Sequence, residues 1–143
     1  VGTGRGGKGK EFADWDEILM MSKNGISIGS HTKTHFNFAG AMNETEAQGE
    51  LVDSKRMIEE KTGLPVKYLC YPSGSFNDRA KELASRAGYL GACSTNRGFV
   101  KFNRDVYELK RIKVTNSDGV KPFSFWAKLS GYYTVFKKDK KPY

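Results

Sequence analysis

The sequence contains two histidines, His31 and His35, which stand four residues apart. They follow a short apolar, β-prone run over residues 26–30. On a helical turn or a tightly wound loop, this spacing brings two side chains to one face, with Cβ atoms about 5–6 Å apart. Two neutral imidazoles so placed can bind one transition metal such as zinc. The alternative is a pair of solvated or hydrogen-bonded histidines, which most H-x-x-x-H sequences fit because short motifs have low specificity.

The segments around the histidines alternate between helix and strand. Asp14 is a good N-cap and Gly25 a good stop for a first helix over 14–24. A long helix should start at Asn43 or Thr45 and end at Gly63, since small or apolar residues recur there at helical spacing. The stripe consists of Ala47, Leu51, Ser54 and Ile58. The run at 26–30, between these helices, is predicted to be a strand that delivers the histidines into a loop.

The same alternation continues to residue 131. The expected elements are a strand over 66–71, a turn over 72–75, a helix over 78–87, a strand over 89–94, a turn over 95–98, a strand over 106–115, and a final helix capped by Asp118, carrying Phe123, Trp126, Ala127 and Leu129 and ended by Gly131. Strands and helices that alternate with short connections indicate βα units and an α/β fold with a parallel sheet, open or closed into a barrel.

In a parallel sheet, the loops after the strands meet at one edge. The loops over 31–35, 71–75, 94–98 and 115–118 should therefore line one face, where α/β folds place their chemistry. A Ser/His/Asp or Cys/His triad has no independent support, because both histidines belong to one motif. The sequence thus favours a polar cleft built around the histidine pair.

Length and charge exclude several classes of protein. The 143 residues suffice for one domain, and no apolar stretch is long enough to cross a membrane. The formal net charge of +8 lies partly in a lysine-rich C-terminal tail, and a solvated surface explains it better than a nucleic-acid site. The glycine-rich start at residues 1–10 lacks the apolar core of a signal peptide and matches no phosphate-binding motif. Cys70 and Cys93 should be two buried free thiols.

Around Gly29-Ser30-His31-Thr32-Lys33-Thr34-His35 the chain resembles the polysaccharide deacetylases of carbohydrate esterase family four. Their second motif is His-(Ser/Thr)-x-x-His, usually entered through Ile-Gly-Ser, as it is here. Downstream, Tyr71-Pro72-Ser73-Gly74-Ser75-Phe76-Asn77 is similar to their third motif. Segments 14–29, 88–95 and 109–114 resemble neighbouring parts of the family, so the likeness covers about residues 14–114.

The resemblance implies a distorted (β/α) barrel, present here as an incomplete barrel, and one divalent metal. His31 and His35 carry over as metal ligands, with zinc expected first and cobalt or nickel as alternatives. The metal would acidify a water molecule and polarise an acetyl carbonyl, and the backbone N–H of Ser73 would hold the oxyanion. The turn formed by Tyr71, Pro72, Ser73 and Gly74 would bind substrate. Thr32 and Asn77 are interpreted as structural caps.

The chain differs from the family in three features that affect its expected activity. The first motif, Thr-Phe-Asp-Asp, which supplies the base and a third ligand, is absent from the sequence and is expected upstream of Val1. Cys70 stands where an arginine is often found in the third motif. The family's closing histidine, its usual general acid, has no counterpart. Weak metal binding and little activity are therefore expected of this chain alone, together with self-association through an open sheet edge.

The resemblance leaves three functions open. The first is deacetylation of an N-acetylated or O-acetylated polysaccharide; the others are amide hydrolysis on a small molecule and non-catalytic carbohydrate binding. The expected organisation is one partial catalytic domain over 1–131 and a basic tail over 132–143. The expected partner is an acetylated polysaccharide or oligosaccharide, with no nucleic acid. An extracytoplasmic or cell-envelope location is expected from the family.

Overall fold

A computed structural model describes residues 12–39, 43–95 and 104–130 of the chain. In chain order its elements are α1 (Trp15–Lys23), α2 (Glu44–Thr62), β1 (Tyr68–Cys70), a 3-10 turn (Pro72–Gly74), α3 (Asp78–Arg86), β2 (Gly91–Cys93), α4 (Asn116–Gly119) and α5 (Pro122–Leu129). Strand and helix alternate as predicted from α2 to α4, whereas α1 and α2, and also α4 and α5, follow each other without a strand between them. The C-terminal tail and the turn over 96–98 lie outside the described residues.

The helix ends follow from local chemistry, and the predictions for α1, α2 and α3 are confirmed to within one residue or two. Asp14 accepts from the Glu17 backbone N–H, and the Glu17 carboxylate accepts from the Asp14 N–H, which makes a capping box. Asn43 and Asn77 cap α2 and α3 with their side-chain oxygens. Gly63 ends α2 at a φ of 69°, a conformation that glycine adopts without strain.

The sheet is parallel and small. In the register of β1 and β2, Tyr68 pairs with Gly91, and Cys70 with Cys93. Two single bridges extend the sheet on either side, since Ser30 pairs with Leu69 and Cys93 pairs with Leu109, both parallel. Four parallel segments thus lie side by side. Among the described residues, no further strand closes the sheet into a barrel.

Two sequence predictions fail at the strands. The segment over 26–30 makes only the bridge at Ser30, and the strand expected over 106–115 is reduced to the bridge at Leu109. A strand needs a partner on at least one side to form its ladder, and β-prone residues cannot supply one by themselves. The alternating pattern therefore overestimated the strand length at both outer edges of the sheet.

The final helix also differs from its prediction, because it is split in two. Thr115 is the N-cap of α4, and α5 starts afresh at Pro122. Asp118 caps no long helix; its carboxylate accepts from the Thr115 N–H and from Lys128 Nζ, both at 2.7 Å. The apolar side chains of α5 do not face the core, since Phe123 is 79% and Trp126 58% exposed.

The core lies between the sheet and α2 and α3. It is built from small and branched side chains of both layers and from the aromatic rings of the connections. Its members are Phe38, Ala47, Leu51, Ile58, Val66, Leu69, Tyr71, Phe76, Ala80, Leu83, Ala84, Tyr89 and Ala92. Leu69 and Ala92 point into this layer, so Cys70 and Cys93, their neighbours along the strands, point to the opposite face. Over the described ranges, no helix has the length and apolar character to cross a membrane.

Candidate functional site: a histidine pair at the carboxyl edge of the sheet

His31 follows directly on the bridge that joins residue 30 to β1. The Ser30 N–H donates to the Tyr68 carbonyl at 2.9 Å, and the Cys70 N–H donates to the Ser30 carbonyl at 2.8 Å. These bonds place the His31 ring beside the end of β1, where its Nδ1 lies 2.7 Å from the Cys70 carbonyl oxygen. A carbonyl can only accept, so Nδ1 carries the proton and Nε2 keeps its lone pair.

The surroundings of His31 favour the neutral ring. Burial lowers the pKa of His31 below its ordinary value, and electrostatic repulsion from the neighbouring His35 and Arg111 acts in the same direction. The hydrogen bond to the Cys70 carbonyl opposes this shift without cancelling it. A neutral imidazole with a free nitrogen is the form that binds a metal.

His35 lies against His31. The two ring centroids are 5.1 Å apart, and the rings meet edge to face at 79°. The loop between them is tightly wound, because Thr32 and His35 adopt left-handed φ angles of 63° and 64°. Such angles cost a residue other than glycine roughly 1–2 kcal/mol each and persist only where the surroundings impose them. Thr32 Oγ1 accepts from the Phe36 N–H at 3.0 Å, which confirms its predicted role as a cap.

A buried carboxylate holds the histidine loop from the side of α2. Glu50 is only 8% exposed, and its Oε2 accepts from the N–H groups of Lys33 and Thr34, both at 2.8 Å. Its Oε1 accepts from the Thr34 hydroxyl, also at 2.8 Å. Glu50 was not among the residues predicted for the site, although a signal existed: three residues after Ala47 and four before Ser54, it is a charged residue on the buried stripe of the helix.

The turn after β1 lies next to this loop. Ser73 and Gly74 adopt successive left-handed φ angles of 55° and 70°. Thr95 Oγ1 donates to the Ser73 carbonyl at 3.4 Å, and a Cβ added at Gly74 would stand 2.0 Å from that same hydroxyl oxygen. Glycine is therefore required at 74 for two reasons, its φ and the contact with Thr95.

Tyr71 and Pro72, which the resemblance assigned to substrate binding, are both buried. The Tyr71 ring stacks on Phe76, with centroids 5.0 Å apart, and meets Phe38 edge to face. Burial raises the pKa of the Tyr71 hydroxyl. In this structure Tyr71 and Pro72 anchor the turn in the core, while Ser73 is exposed and Gly74 half-buried.

The described parts of three expected loops, over 31–35, 71–75 and 94–98, meet at one edge of the sheet, while the place of the loop over 115–118 at that edge stays a prediction. The Tyr71 N–H donates to the Cys93 carbonyl at 3.0 Å, and the Ser94 N–H to the Leu109 carbonyl at 2.9 Å. Arg111, for which no role was predicted, lies across the carboxyl ends of β1 and β2. Its Nε donates to the Ser94 carbonyl at 2.7 Å, and its Nη1 lies 3.4 Å from Cys70 Sγ.

Among the described residues, the histidine pair has no third acidic or sulfur ligand close by. Within residues 12–39, 43–95 and 104–130, no group of three or more His, Cys, Asp or Glu side chains is arranged to hold a metal ion. A groove of about 300 Å³ is present elsewhere, lined by residues such as Ile26, Leu64 and Tyr68. It lies at the opposite end of β1 from the histidines and is distinct from their site.

Comparison with solved structures shows the same fold in known deacetylases. A Streptococcus pyogenes deacetylase, PplD, solved in complex with acetate, is similar with a TM-score of 0.72 and 23% identity over 82% of this chain and 50% of that one. BC0361, a polysaccharide deacetylase from Bacillus cereus, has a TM-score of 0.66 and 28% identity over 81% of this chain and 36% of its own. BA3943 of Bacillus anthracis, described as a CE4 family pseudoenzyme, has a TM-score of 0.51 and 27% identity over 55% of this chain and 27% of its own.

Sequence comparison agrees with the fold. The Bacillus subtilis protein named "Putative polysaccharide deacetylase YxkH" is 29% identical over 100 residues, which are 70% of this chain and 36% of that protein. The chain therefore spans about a third of this curated relative. The family model for polysaccharide deacetylase matches residues 4–92, a range that contains both the histidine loop and the turn after β1. By that match, the chain belongs to the polysaccharide deacetylase family.

Proposed function

We propose that this chain carries part of the active site of a metal-dependent polysaccharide deacetylase that hydrolyses N-acetyl or O-acetyl groups. His31 and His35 are its metal-binding residues, and zinc is the first candidate because it accepts imidazole readily. The observation that carries the proposal is the hydrogen bond from His31 Nδ1 to the Cys70 carbonyl, with the His35 ring beside it.

This arrangement fits a metal for a chemical reason. Histidines that ligate a metal commonly donate their other ring nitrogen to a carbonyl or carboxylate, which sets the tautomer and the ring orientation. His31 makes such a bond, and Glu50 fixes the loop that carries His35. A divalent cation bound there supplies Lewis acidity toward a carbonyl oxygen and a lowered pKa for water.

The remaining roles fall to the turn after β1. The exposed Ser73 lies in a left-handed conformation that Gly74 and Thr95 support. Its backbone N–H is the proposed donor to the oxyanion of an acetyl group under attack. A fixed donor of this kind is typically worth about 10²–10³-fold in rate. Pro72 and Tyr71 contribute by holding the turn rather than by contacting substrate.

Two imidazoles leave a catalytic metal one protein ligand short of the usual three. We propose that an acidic residue that is not among these 143 residues completes the site and supplies the base, within a (β/α) barrel of which this chain forms part. The motif expected to carry it, Thr-Phe-Asp-Asp, does not occur in the sequence. An extracytoplasmic or cell-envelope location, where acetylated polysaccharides occur, is part of the same proposal.

Calorimetric titration with zinc or cobalt tests the histidine pair directly. We expect wild type to bind one ion weakly, and His31→Ala and His35→Ala each to lose that binding. Asn37→Ala, at an exposed position in the same loop, is the matched control and should bind as wild type does. Equal binding by the histidine variants and wild type would contradict the assignment of His31 and His35.

Turnover of an acetylated chito-oligosaccharide with added zinc tests the activity. We expect little turnover from the 143 residues and measurable turnover from a chain extended upstream of Val1, because a general base is typically worth about 10²–10⁴-fold. Comparable activity from both chains would show that the base and the third ligand lie within the present sequence.

A non-catalytic carbohydrate-binding role is the second candidate. What favours it is the missing third ligand among the described residues, together with a structural relative that is itself described as a pseudoenzyme. Under this alternative the extended chain binds the oligosaccharide but releases no acetate. The same turnover assay therefore separates the two functions.

A further inference from the structure

Two cysteines lie side by side on the face of the sheet that α2 and α3 do not cover. Cys70 ends β1 and Cys93 ends β2, and they are register partners in the parallel pair. Register partners on neighbouring parallel strands point to the same face. Both thiols are free and half-buried rather than buried, which corrects the sequence prediction.

The spacing of the two strands suits a covalent link. Neighbouring strands lie about 4.8 Å apart, within the Cα separation of about 4.4–6.8 Å that a disulfide spans. The Arg111 side chain reaches the same face, with its Nη1 3.4 Å from Cys70 Sγ. Burial raises the pKa of the Cys93 thiol, and the neighbouring Cys70 acts in the same direction while Arg111 opposes it.

We propose that Cys70 and Cys93 form a dithiol site that closes into an intrachain disulfide on reaction with a low-molecular-weight disulfide. This inference rests on the sheet register and is independent of the proposed deacetylase function. Disulfide formation at these two cysteines does not involve the histidine site.

The reaction proceeds by two thiol–disulfide exchanges. One cysteine, as thiolate, attacks a sulfur of the small disulfide; the new protein–sulfur bond forms as the small disulfide bond breaks and releases one small thiolate. The second cysteine, as thiolate, then attacks the protein sulfur of the mixed disulfide and releases the other small thiolate. The protein loses two protons and two electrons, and the small disulfide gains them as two thiols. The outcome does not depend on which cysteine attacks first.

Incubation of the 143-residue chain with oxidised glutathione, followed by intact-mass analysis and thiol titration, tests the proposal. Wild type should lose the mass of two hydrogen atoms, retain no glutathione and show no free thiol on titration. Cys70→Ser and Cys93→Ser should each stop at a single glutathione adduct, because neither retains a second cysteine. Reduction should restore both thiols in wild type.

A parallel reaction in urea shows whether the fold is responsible. Closure should be at least about tenfold faster in the native chain than in the unfolded one, because the register places the thiols together in advance. Equal rates would overturn the proposal, as would a native chain that keeps two free thiols, carries two glutathione adducts or forms only disulfide-linked dimers.

Discussion

Replacing Glu50 should loosen the histidine loop more than any exposed substitution on the same helix. Its carboxylate accepts three hydrogen bonds of 2.8 Å from Lys33 and Thr34 while being 8% exposed. A hydrogen bond to a charged group contributes about 1.5–3 kcal/mol, so three bonds set an upper limit of about 4.5–9 kcal/mol. Lys33 and Thr34 are exposed, however, and their N–H groups can turn to water once the carboxylate is gone. We expect Glu50→Ala to lower the free energy of unfolding by about 2–3 kcal/mol.

The Glu50→Gln variant keeps the size and most of the hydrogen bonding of the side chain but removes its negative charge. The amide oxygen can still accept from the two backbone N–H groups, and the amide NH₂ then meets the Thr34 hydroxyl, which can accept as well as donate. Only the charge is lost, so the expected cost is about 1 kcal/mol. Glu60→Ala, on the same helix but exposed and paired only with Arg56 at 3.3 Å, is the control and should change stability by less than about 0.5 kcal/mol.

Urea unfolding followed by circular dichroism measures these differences. Zinc titration of the same variants adds a second readout, because residues that orient metal ligands typically alter affinity by about 10–100-fold. We expect Glu50→Ala to weaken zinc binding by that factor and Glu60→Ala to leave it unchanged. If Glu50→Ala unfolds like Glu60→Ala and binds zinc equally well, Glu50 does not hold the loop and the reasoning is refuted.

Two further predictions concern the turn after β1 and the C-terminal helices. In urea unfolding, Gly74→Ala should destabilise the chain by more than Gly25→Ala. Both positions have a left-handed φ, which costs an alanine roughly 1–2 kcal/mol, but only the Cβ at 74 would clash with a neighbouring side chain. Equal losses in the free energy of unfolding would show that the turn adapts to the added Cβ at 74, which would contradict the prediction. The hydrogen bond from Lys128 holds the pKa of Asp118 well below its ordinary value. The ionised carboxylate therefore stabilises the fold at pH values above its unfolded pKa of about 3.9. This stabilisation is lost as the pH falls below that value and the carboxylate becomes protonated. Asp118→Asn should therefore flatten the loss of stability between pH 4 and pH 2, roughly the range set by these pKa values, and an unchanged acid profile would contradict the assignment.

The helices and their ends were predictable because their determinants are local. Asp14, Asn43 and Asn77 cap from within three residues, and Gly63 ends α2 by its own backbone freedom. The spacing of His31 and His35 likewise predicted two neighbouring rings, since four residues of tightly wound backbone return a side chain to the same side. Nothing distant in the chain is needed for either result.

The outer strands were not predictable in the same way. Residues 26–30 and 106–115 have β-prone composition, yet each forms only a single bridge. A strand exists through its hydrogen bonds to a neighbour, and that neighbour is far away in sequence. The same holds for the exposed aromatic residues of α5: helical spacing predicts which side chains share an apolar face, but not which element packs against that face.

The chemistry of the site depends on contacts across the chain. Local sequence was enough to place two imidazoles four residues apart, directly after a segment of β-prone composition. Three other features come from long-range contacts: the Cys70 carbonyl sets the tautomer of His31, Glu50 holds the loop, and Cys93 lies beside Cys70. These pairs are separated by 39, 17 and 23 residues, and no local pattern specifies which distant groups a parallel sheet brings together.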